Sequence, residues 1–178
     1  LNTDLAFELK GNLPPSDAFD KIYGAGHWNA MTIRSLSIGQ GEILATPLQL
    51  VNYSAMVANR GWFYPPHVVK AVGNEKNATD FTKKRNVITI KPEYVDVIRK
   101  GMAEVVESGT ARSVKIDSIP MAGKTGTADN PHGKPHAVFV GFAPIDHPKI
   151  AICVIVENAG FGSTYAAPVA SLMVEKYI

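Results

Sequence analysis

Two segments in the first two-thirds of the chain carry apolar residues at the three- and four-residue spacing typical of helices. The first spans 45–61 and opens with Thr46-Pro47-Leu48-Gln49, a capping box with proline at the first helical position. It is apolar on most faces, so we expect a buried helix, and we expect Gly61 to end it in a left-handed conformation. The second spans 92–108 and has one apolar stripe, with charged residues such as Arg99 off the stripe. The stripe consists of Val95, Ile98, Met102, Val105 and Val106.

The segment 119–157 has the pattern of three antiparallel strands. Two runs rich in β-branched and apolar residues, 137–143 and 150–157, are separated by a turn containing proline, aspartate and histidine. A third extended run, 121–128, precedes them after a polar turn, and a last helix is predicted over 165–177. Helices on either side of an antiparallel run predict an α+β fold in which the helices pack on the sheet.

The remaining segments carry weaker signals. Residues 1–44 combine mixed polarity with glycine and proline turn signals, and we expect a loop-rich lead-in there. The polar stretch 73–86 reads as a solvated loop or hairpin connection. A chain of 178 residues is one domain or a large part of one.

Composition excludes several classes of function. The 18 Lys and Arg nearly balance the 16 Asp and Glu, giving a net charge of +2 that suggests neither a nucleic-acid nor an anionic-membrane partner. The single Cys153 excludes an internal disulfide and lies in an apolar run, where a small buried hydrophobe is the expected role. No apolar run reaches the roughly 18 residues of a membrane span, and the N-terminus does not resemble a signal peptide.

The run MAGKTGTA at 121–128 holds the most informative candidate chemistry. A phosphate-binding P-loop requires G-x-x-x-x-G-K-[ST] followed by a helix. Ser118 stands where the first glycine should be, and Gly126, Pro131 and Gly133 disfavour the helix, so the nucleotide interpretation fails. The alternative is the K-T-G strand of serine acyl-transfer enzymes that act on penicillins or D-Ala-D-Ala peptides. K-T-G alone is a weak signal, but a strand followed by two more strands is the context that it needs.

The chain resembles the C-terminal part of the transpeptidase domain of class B penicillin-binding proteins, and within them the group that acts in cell elongation. The segments that carry the resemblance are SIGQG at 37–41, ATPLQ at 45–49, ANRG at 58–61, PPH at 65–67, GKTGTA at 123–128, FVGFAP at 139–144 and VEN at 156–158. The resemblance implies the serine β-lactamase/penicillin-binding transpeptidase fold. It also implies peptidoglycan D,D-transpeptidase activity, penicillin binding, no cofactor, and a periplasmic location on the bacterial inner membrane.

The resemblance assigns roles to four residues. Lys124 is expected to organise proton transfer around the serine and to make the site positive. Thr125 and Thr127 would bind the carboxylate of the ligand, and pleating places their hydroxyls on the same face of the strand. Gly126 would let a ligand backbone lie close to the strand. The N–H of Thr127 would contribute to the oxyanion hole.

One departure from the pattern concerns the nucleophile. The family uses a serine in S-x-x-K and a second motif, S-x-N. No serine in this sequence has lysine three residues later or asparagine two residues later. We therefore expect the chain to be a fragment that is inactive alone, and we expect an upstream part of the same protein to complete the sheet. The uncovered edge of the strand 150–156 is also a candidate site of self-association.

Three further interpretations remain open. His132, His136 and His147 are expected to be loop residues at the rim of the cleft, with a minor alternative of zinc binding. A β-lactamase or β-lactam sensor of the same fold is one alternative function. A non-catalytic binding module is the other.

Overall fold

The computed structural model describes residues 1, 3–72 and 85–178. The chain divides into two compact units, one formed by 9–46 and the other by 1–8 together with 47–178. The predicted loop at 73–86 lies mostly outside the described residues.

The smaller unit contains two short helices, α1 at Ser16–Tyr23 and α2 at Ala30–Ser37. The side chain of Asn29 caps α2 by accepting a hydrogen bond from the N–H of Met31 at 2.9 Å. Phe19 is buried in α1 and contacts Trp28, with ring centroids 5.8 Å apart and the ring planes tilted by 44°. The sequence prediction of a loop-rich lead-in missed both helices. Each has eight residues, and helices this short are stabilised by caps and contacts rather than by a long apolar stripe.

Within residues 1, 3–72 and 85–178, the larger unit contains the other α-helices and the strands. The helices are α3 at Pro47–Ala58, α4 at Pro92–Glu107 and α5 at Ala166–Tyr177. The short strands β1, Trp62–Phe63, and β2, Asn86–Val87, form an antiparallel ribbon. The main sheet consists of β3 at Ala122–Ala128, β4 at His136–Ala143 and β5 at Ile150–Val156. The helices α3, α4 and α5 and the strands β3, β4 and β5 lie within the segments 45–61, 92–108, 165–177 and 119–157. The short strands β1 and β2 were not among the sequence predictions, and Asn86 of β2 belongs to the segment predicted as a loop.

The main sheet is antiparallel, with β4 in the centre and β3 and β5 on either side. Phe139 and Phe142 lie three residues apart on β4, so they point to opposite faces. Phe139 joins a core cluster with residues of α5, and Phe142 joins a second cluster with residues of α3 and α4. Helices therefore cover the sheet from both sides, and the predicted α+β fold is confirmed.

Two details of the helices differ from the sequence prediction. Gly61 has a positive φ of 105°, as predicted, but Arg60 directly before it also takes a left-handed conformation, with φ 57°. On α4, Ile98 was predicted to lie in the core stripe but is 41% exposed. Arg99, predicted to lie off that stripe, is 4% exposed. Periodicity could not predict this burial, because the polar partners of Arg99 come from other elements.

Arg99 connects α3 to the turn between β4 and β5. Its guanidinium donates to the carbonyl oxygens of Val57 and Ala58 at the end of α3 and, at 2.6 Å, to that of Ile145. The charged group also lies 5.3 Å from the centre of the Phe142 ring. The last carbonyls of a helix have no partner within the helix. The Val57 oxygen also accepts the N–H of Arg60 at 3.1 Å, so the main contribution of Arg99 is to the oxygens of Ala58 and Ile145.

Candidate active site

The K-T-G run lies on β3, an edge strand of the three-stranded main sheet. Its register against β4 pairs Lys124 with Val140 and Thr125 with Phe139. Gly123, the residue before the lysine, serves packing: a Cβ there would lie 2.2 Å from the Phe139 ring. The Phe139 ring, which belongs to the core cluster with α5, therefore packs directly against β3 at the residue before Lys124.

Lys124 is exposed, and its ammonium donates to the carbonyl oxygen of Thr125 at 2.7 Å. The amine therefore stays close to the backbone of its own strand. A cation held there is available to an anion that approaches β3.

Thr125 and Thr127 alternate with Lys124 and Gly126 along β3, so their side chains share one face of the strand. That face also carries Phe139 and Ala137, their partners on β4. Both threonines are half-buried. Lys124 and Gly126 point to the opposite face of β3 from the two threonines.

Sequence reasoning did not identify Thr110, which lies after the end of α4. Its hydroxyl oxygen is 2.8 Å from the hydroxyl oxygen of Thr125, within hydrogen-bonding distance. No local signal marks this residue, because the contact joins two positions fifteen residues apart that only the fold brings together.

Thr110 also lines a groove of about 860 Å³. Its walls are the segments 108–114 and 163–168. The lining residues are Ser108, Gly109, Thr110, Arg112, Ser113, Val114, Ser163, Thr164 and Pro168.

The turn between β3 and β4 is tied to the loop that follows β5. The N–H of Asn158 donates to Nδ1 of His136 at 3.1 Å, and Asn130 donates to the side-chain oxygen of Asn158 at 2.6 Å. His136 is half-buried, whereas His132 and His147 are exposed. Within the described parts of the chain, no group of three or more His, Cys, Asp or Glu is placed to hold a metal ion.

The chain matches the sequence profile described as "Penicillin binding protein transpeptidase domain" over residues 3–175. It is 37% identical to the peptidoglycan D,D-transpeptidase MrdA of Acinetobacter baumannii, over 92% of this chain and 27% of that protein. These matches favour the transpeptidase interpretation over a β-lactamase or a sensor.

Solved structures agree with the sequence matches. The structure of Pseudomonas aeruginosa PBP2 in complex with WCK 5153 has a TM-score of 0.84 and 36% identity, covering 98% of this chain and 39% of that one. The imipenem acyl-enzyme complex of penicillin-binding protein A from M. tuberculosis has a TM-score of 0.69 and 28% identity, covering 80% and 33%. The chain thus spans between a quarter and two-fifths of the length of these relatives. Among the described residues, no helix combines the length and apolar character needed to cross a membrane.

Proposed function

Since the chain belongs to the penicillin-binding protein transpeptidase family, we propose that it is the part of a peptidoglycan D,D-transpeptidase that carries the K-T-G strand. The whole protein would cross-link stem peptides during cell-wall elongation and would bind β-lactams. The observation that carries this proposal is the position of the motif on β3, a strand at the side of the sheet, with an exposed Lys124. The names of the relatives support the same activity.

The reaction we propose is acyl transfer through a serine of an S-x-x-K motif. The serine oxygen attacks the carbonyl of the penultimate D-Ala, the peptide bond to the last D-Ala breaks, and that residue leaves with a proton. An amine from a neighbouring stem peptide then attacks the ester and releases the serine. A β-lactam would acylate the same serine and leave slowly.

Lys124 would attract the anionic donor and help organise proton transfer around the serine. A positive charge beside the reacting groups favours an anionic ligand and holds nearby acids in their charged form. Thr125 and Thr127 would donate hydrogen bonds to the carboxylate of the donor. Their common face on β3 supports this role, because two hydroxyls on one face can approach the same group.

The backbone of β3 would bind the donor peptide as an added strand. Gly126, which has no side chain, would let the ligand's main chain lie close to the strand. The N–H of Thr127 would act with the N–H of the serine as the oxyanion hole. Loss of one such donor typically lowers the rate by about 10²–10³.

We further propose that the protein works on the periplasmic side of the bacterial inner membrane, where its substrate is located and where β-lactams reach it as an antibiotic target. An upstream strand of the same protein would pair with β5 and complete the sheet. Without that strand, the edge of β5 would be available to a second copy of the chain.

Labelling with a fluorescent penicillin tests the proposed function. We expect the 178-residue chain, which has no S-x-x-K, to remain unlabelled on a denaturing gel. A longer protein in which an S-x-x-K segment precedes this chain should be labelled and should lose acylation in Lys124→Ala. Lys149→Ala is the control, because Lys149 is also exposed but lies in the turn before β5.

Two outcomes would contradict the proposal. Covalent labelling of the 178-residue chain would show that its nucleophile has been misidentified. Equal labelling of the Lys124→Ala and Lys149→Ala proteins would remove Lys124 from the catalytic group.

A further inference from the structure

We call the groove bounded by 108–114 and 163–168 the Thr110 groove. Both segments that form its walls are in contact with β3. The first wall is attached by the hydrogen bond between the hydroxyls of Thr110 and Thr125, 2.8 Å apart. Thr125 belongs to the K-T-G run, so this wall is continuous with the proposed substrate site.

The second wall is attached at Gly162, directly before Ser163. A Cβ on Gly162 would lie 2.2 Å from the carbonyl oxygen of Val138 and 2.4 Å from that of Gly126. Only a residue without a side chain can approach these backbones so closely. The carbonyl of Gly162 also accepts the N–H groups of Ala166 and Ala167, at 3.1 and 2.8 Å. The wall is therefore packed directly on the K-T-G strand at Gly126.

The lining of the groove suits an anion. Five of the described lining residues carry a hydroxyl, and Arg112 is the ionisable one, so no carboxylate among them opposes a negative ligand. Arg112 is exposed at the groove and carries a guanidinium that matches the geometry of a carboxylate.

We propose that the Thr110 groove extends the carboxylate-binding part of the site beyond Thr125 and takes the free C-terminal carboxylate end of a peptide ligand. Thr110 is a positioning residue: its hydroxyl fixes the orientation of the Thr125 hydroxyl. Arg112 supplies positive charge to the groove. This inference rests on the proposed function, in which Thr125 and Thr127 meet the ligand's carboxylate.

The hydroxyl pair explains why Thr110 matters without any direct contact to the reacting atoms. A hydroxyl has one proton and two lone pairs. When Thr110 donates to Thr125, the proton of Thr125 is left to donate to the carboxylate, and the chain of bonds polarises it further. Without the Thr110 hydroxyl, the Thr125 hydroxyl can rotate. It then spends less time in the orientation that donates a hydrogen bond to the ligand.

A titration of the 178-residue chain followed by NMR tests this inference without any acylation step. The probes are N-acetyl-D-Ala-D-Ala with a free carboxylate and the same peptide with a C-terminal amide. We expect the acid to shift the backbone signals of 121–128, 108–114 and 163–168, and to bind at least tenfold more tightly than the amide.

Variants then separate positioning from simple structural support. Thr110→Val should weaken binding of the acid about fivefold and leave the amide unchanged, and Thr110→Ser should restore binding. Arg112→Gln should weaken binding of the acid with a reduced salt dependence. Arg34→Gln is the matched control, because Arg34 is exposed on α2, and it should bind as the unaltered chain does. The spectrum of each variant shows whether it is folded.

The outcomes distinguish this inference from the proposed function. The inference is overturned when acid and amide bind equally, when Thr110→Val binds the acid unchanged, or when neither peptide shifts 108–114. The proposed function survives all three if the longer S-x-x-K protein is still labelled by penicillin in a Lys124-dependent way. A failure of that labelling would overturn the function itself.

Discussion

Arg99 links two parts of the larger unit through one buried guanidinium. Its donors reach carbonyl oxygens at the end of α3 and at Ile145, and Asp96 lies 3.5 Å away. Burial lowers the pKa of this guanidinium, as expected for a charge removed from water. Its hydrogen bonds offset that cost, so the residue stabilises the fold as long as every partner remains in place.

We expect Arg99→Met to lower the free energy of unfolding by about 3 kcal/mol, because the carbonyl oxygens of Ala58 and Ile145 would lose the guanidinium as a donor. Urea denaturation of the 178-residue chain measures this loss. Arg34→Met removes an exposed guanidinium of the same size and should change stability by less than about 0.5 kcal/mol. If both changes lowered the free energy of unfolding equally, the buried contacts of Arg99 would contribute no more to stability than an exposed arginine does.

Cys153 lies on β5, and burial raises the pKa of its thiol to about 11. The thiolate is the reactive form, so the folded chain should react with a thiol reagent at pH 8 about a hundredfold more slowly than the unfolded chain. A stopped-flow absorbance assay with and without urea compares the two rates. A rate in the folded state equal to that in urea would contradict the raised pKa.

The same shift predicts how stability depends on pH. The pKa of the Cys153 thiol in the folded chain lies above its ordinary value of 9.0, so the unfolded chain loses its thiol proton first. The contribution of this group is complete below about pH 9 and is lost as the pH rises toward about 11. Cys153→Ala should lack this component when the two proteins are unfolded in parallel across that range.

At the scale of elements, the loop after β5 packs on β3 and β4 with no room for a side chain at Gly162. A Cβ on Gly162 would meet the carbonyl oxygens of Val138 and Gly126. The loop is held at its other end by the bond from Asn158 to His136. A loop and two strands thus form one packed unit around the candidate site.

We expect Gly162→Ala to destabilise the chain by about 2 kcal/mol, because the strands or the loop must move to admit the Cβ. Gly101→Ala is the matched control: Gly101 lies within α4 and has no atom within 4 Å of an added Cβ. That change should stabilise the chain by about 0.5–1 kcal/mol through helix propensity. Thermal unfolding of both variants gives the two signs, and a stable Gly162→Ala would refute the close approach.

At the scale of the whole molecule, β5 is the outer strand on the side of the sheet opposite to β3. Its residues are mostly apolar, and Ile155 is 38% exposed. An apolar strand at a sheet edge can pair with another strand, which is the physical basis of the proposed upstream strand and of self-association.

We expect the 178-residue chain to form concentration-dependent dimers or larger species that Ile155→Lys reduces, because a charge on an edge strand opposes pairing. Light scattering after size exclusion, over a hundredfold range of concentration, measures this. Val169→Lys places the same charge on α5 at a residue that is 42% exposed and should leave association unchanged. A monomer at every concentration would argue against an available edge.

Sequence patterns predicted the larger elements because each pattern is local. The strands contain β-branched and aromatic runs between turns, and the helices carry apolar stripes, so type and order follow from short windows. The short helices of 9–46 were missed because eight residues give too little periodicity. The stripe of α4 was assigned to Ile98 instead of Arg99 because hydrophobicity alone cannot anticipate a buried, hydrogen-bonded charge.

The sequence by itself determined the α+β fold, the strand that carries Lys124 and the family to which the chain belongs. The fold and the strand follow from the order of apolar runs, and the family follows from the ordered set of short motifs that includes GKTGTA at 123–128. Only the tertiary structure decided which distant residues meet that strand. Thr110 beside Thr125, Gly162 on the Gly126 backbone and Arg99 at the end of α3 are contacts between separate elements. Such contacts depend on packing in three dimensions, to which no local pattern of residues is sensitive.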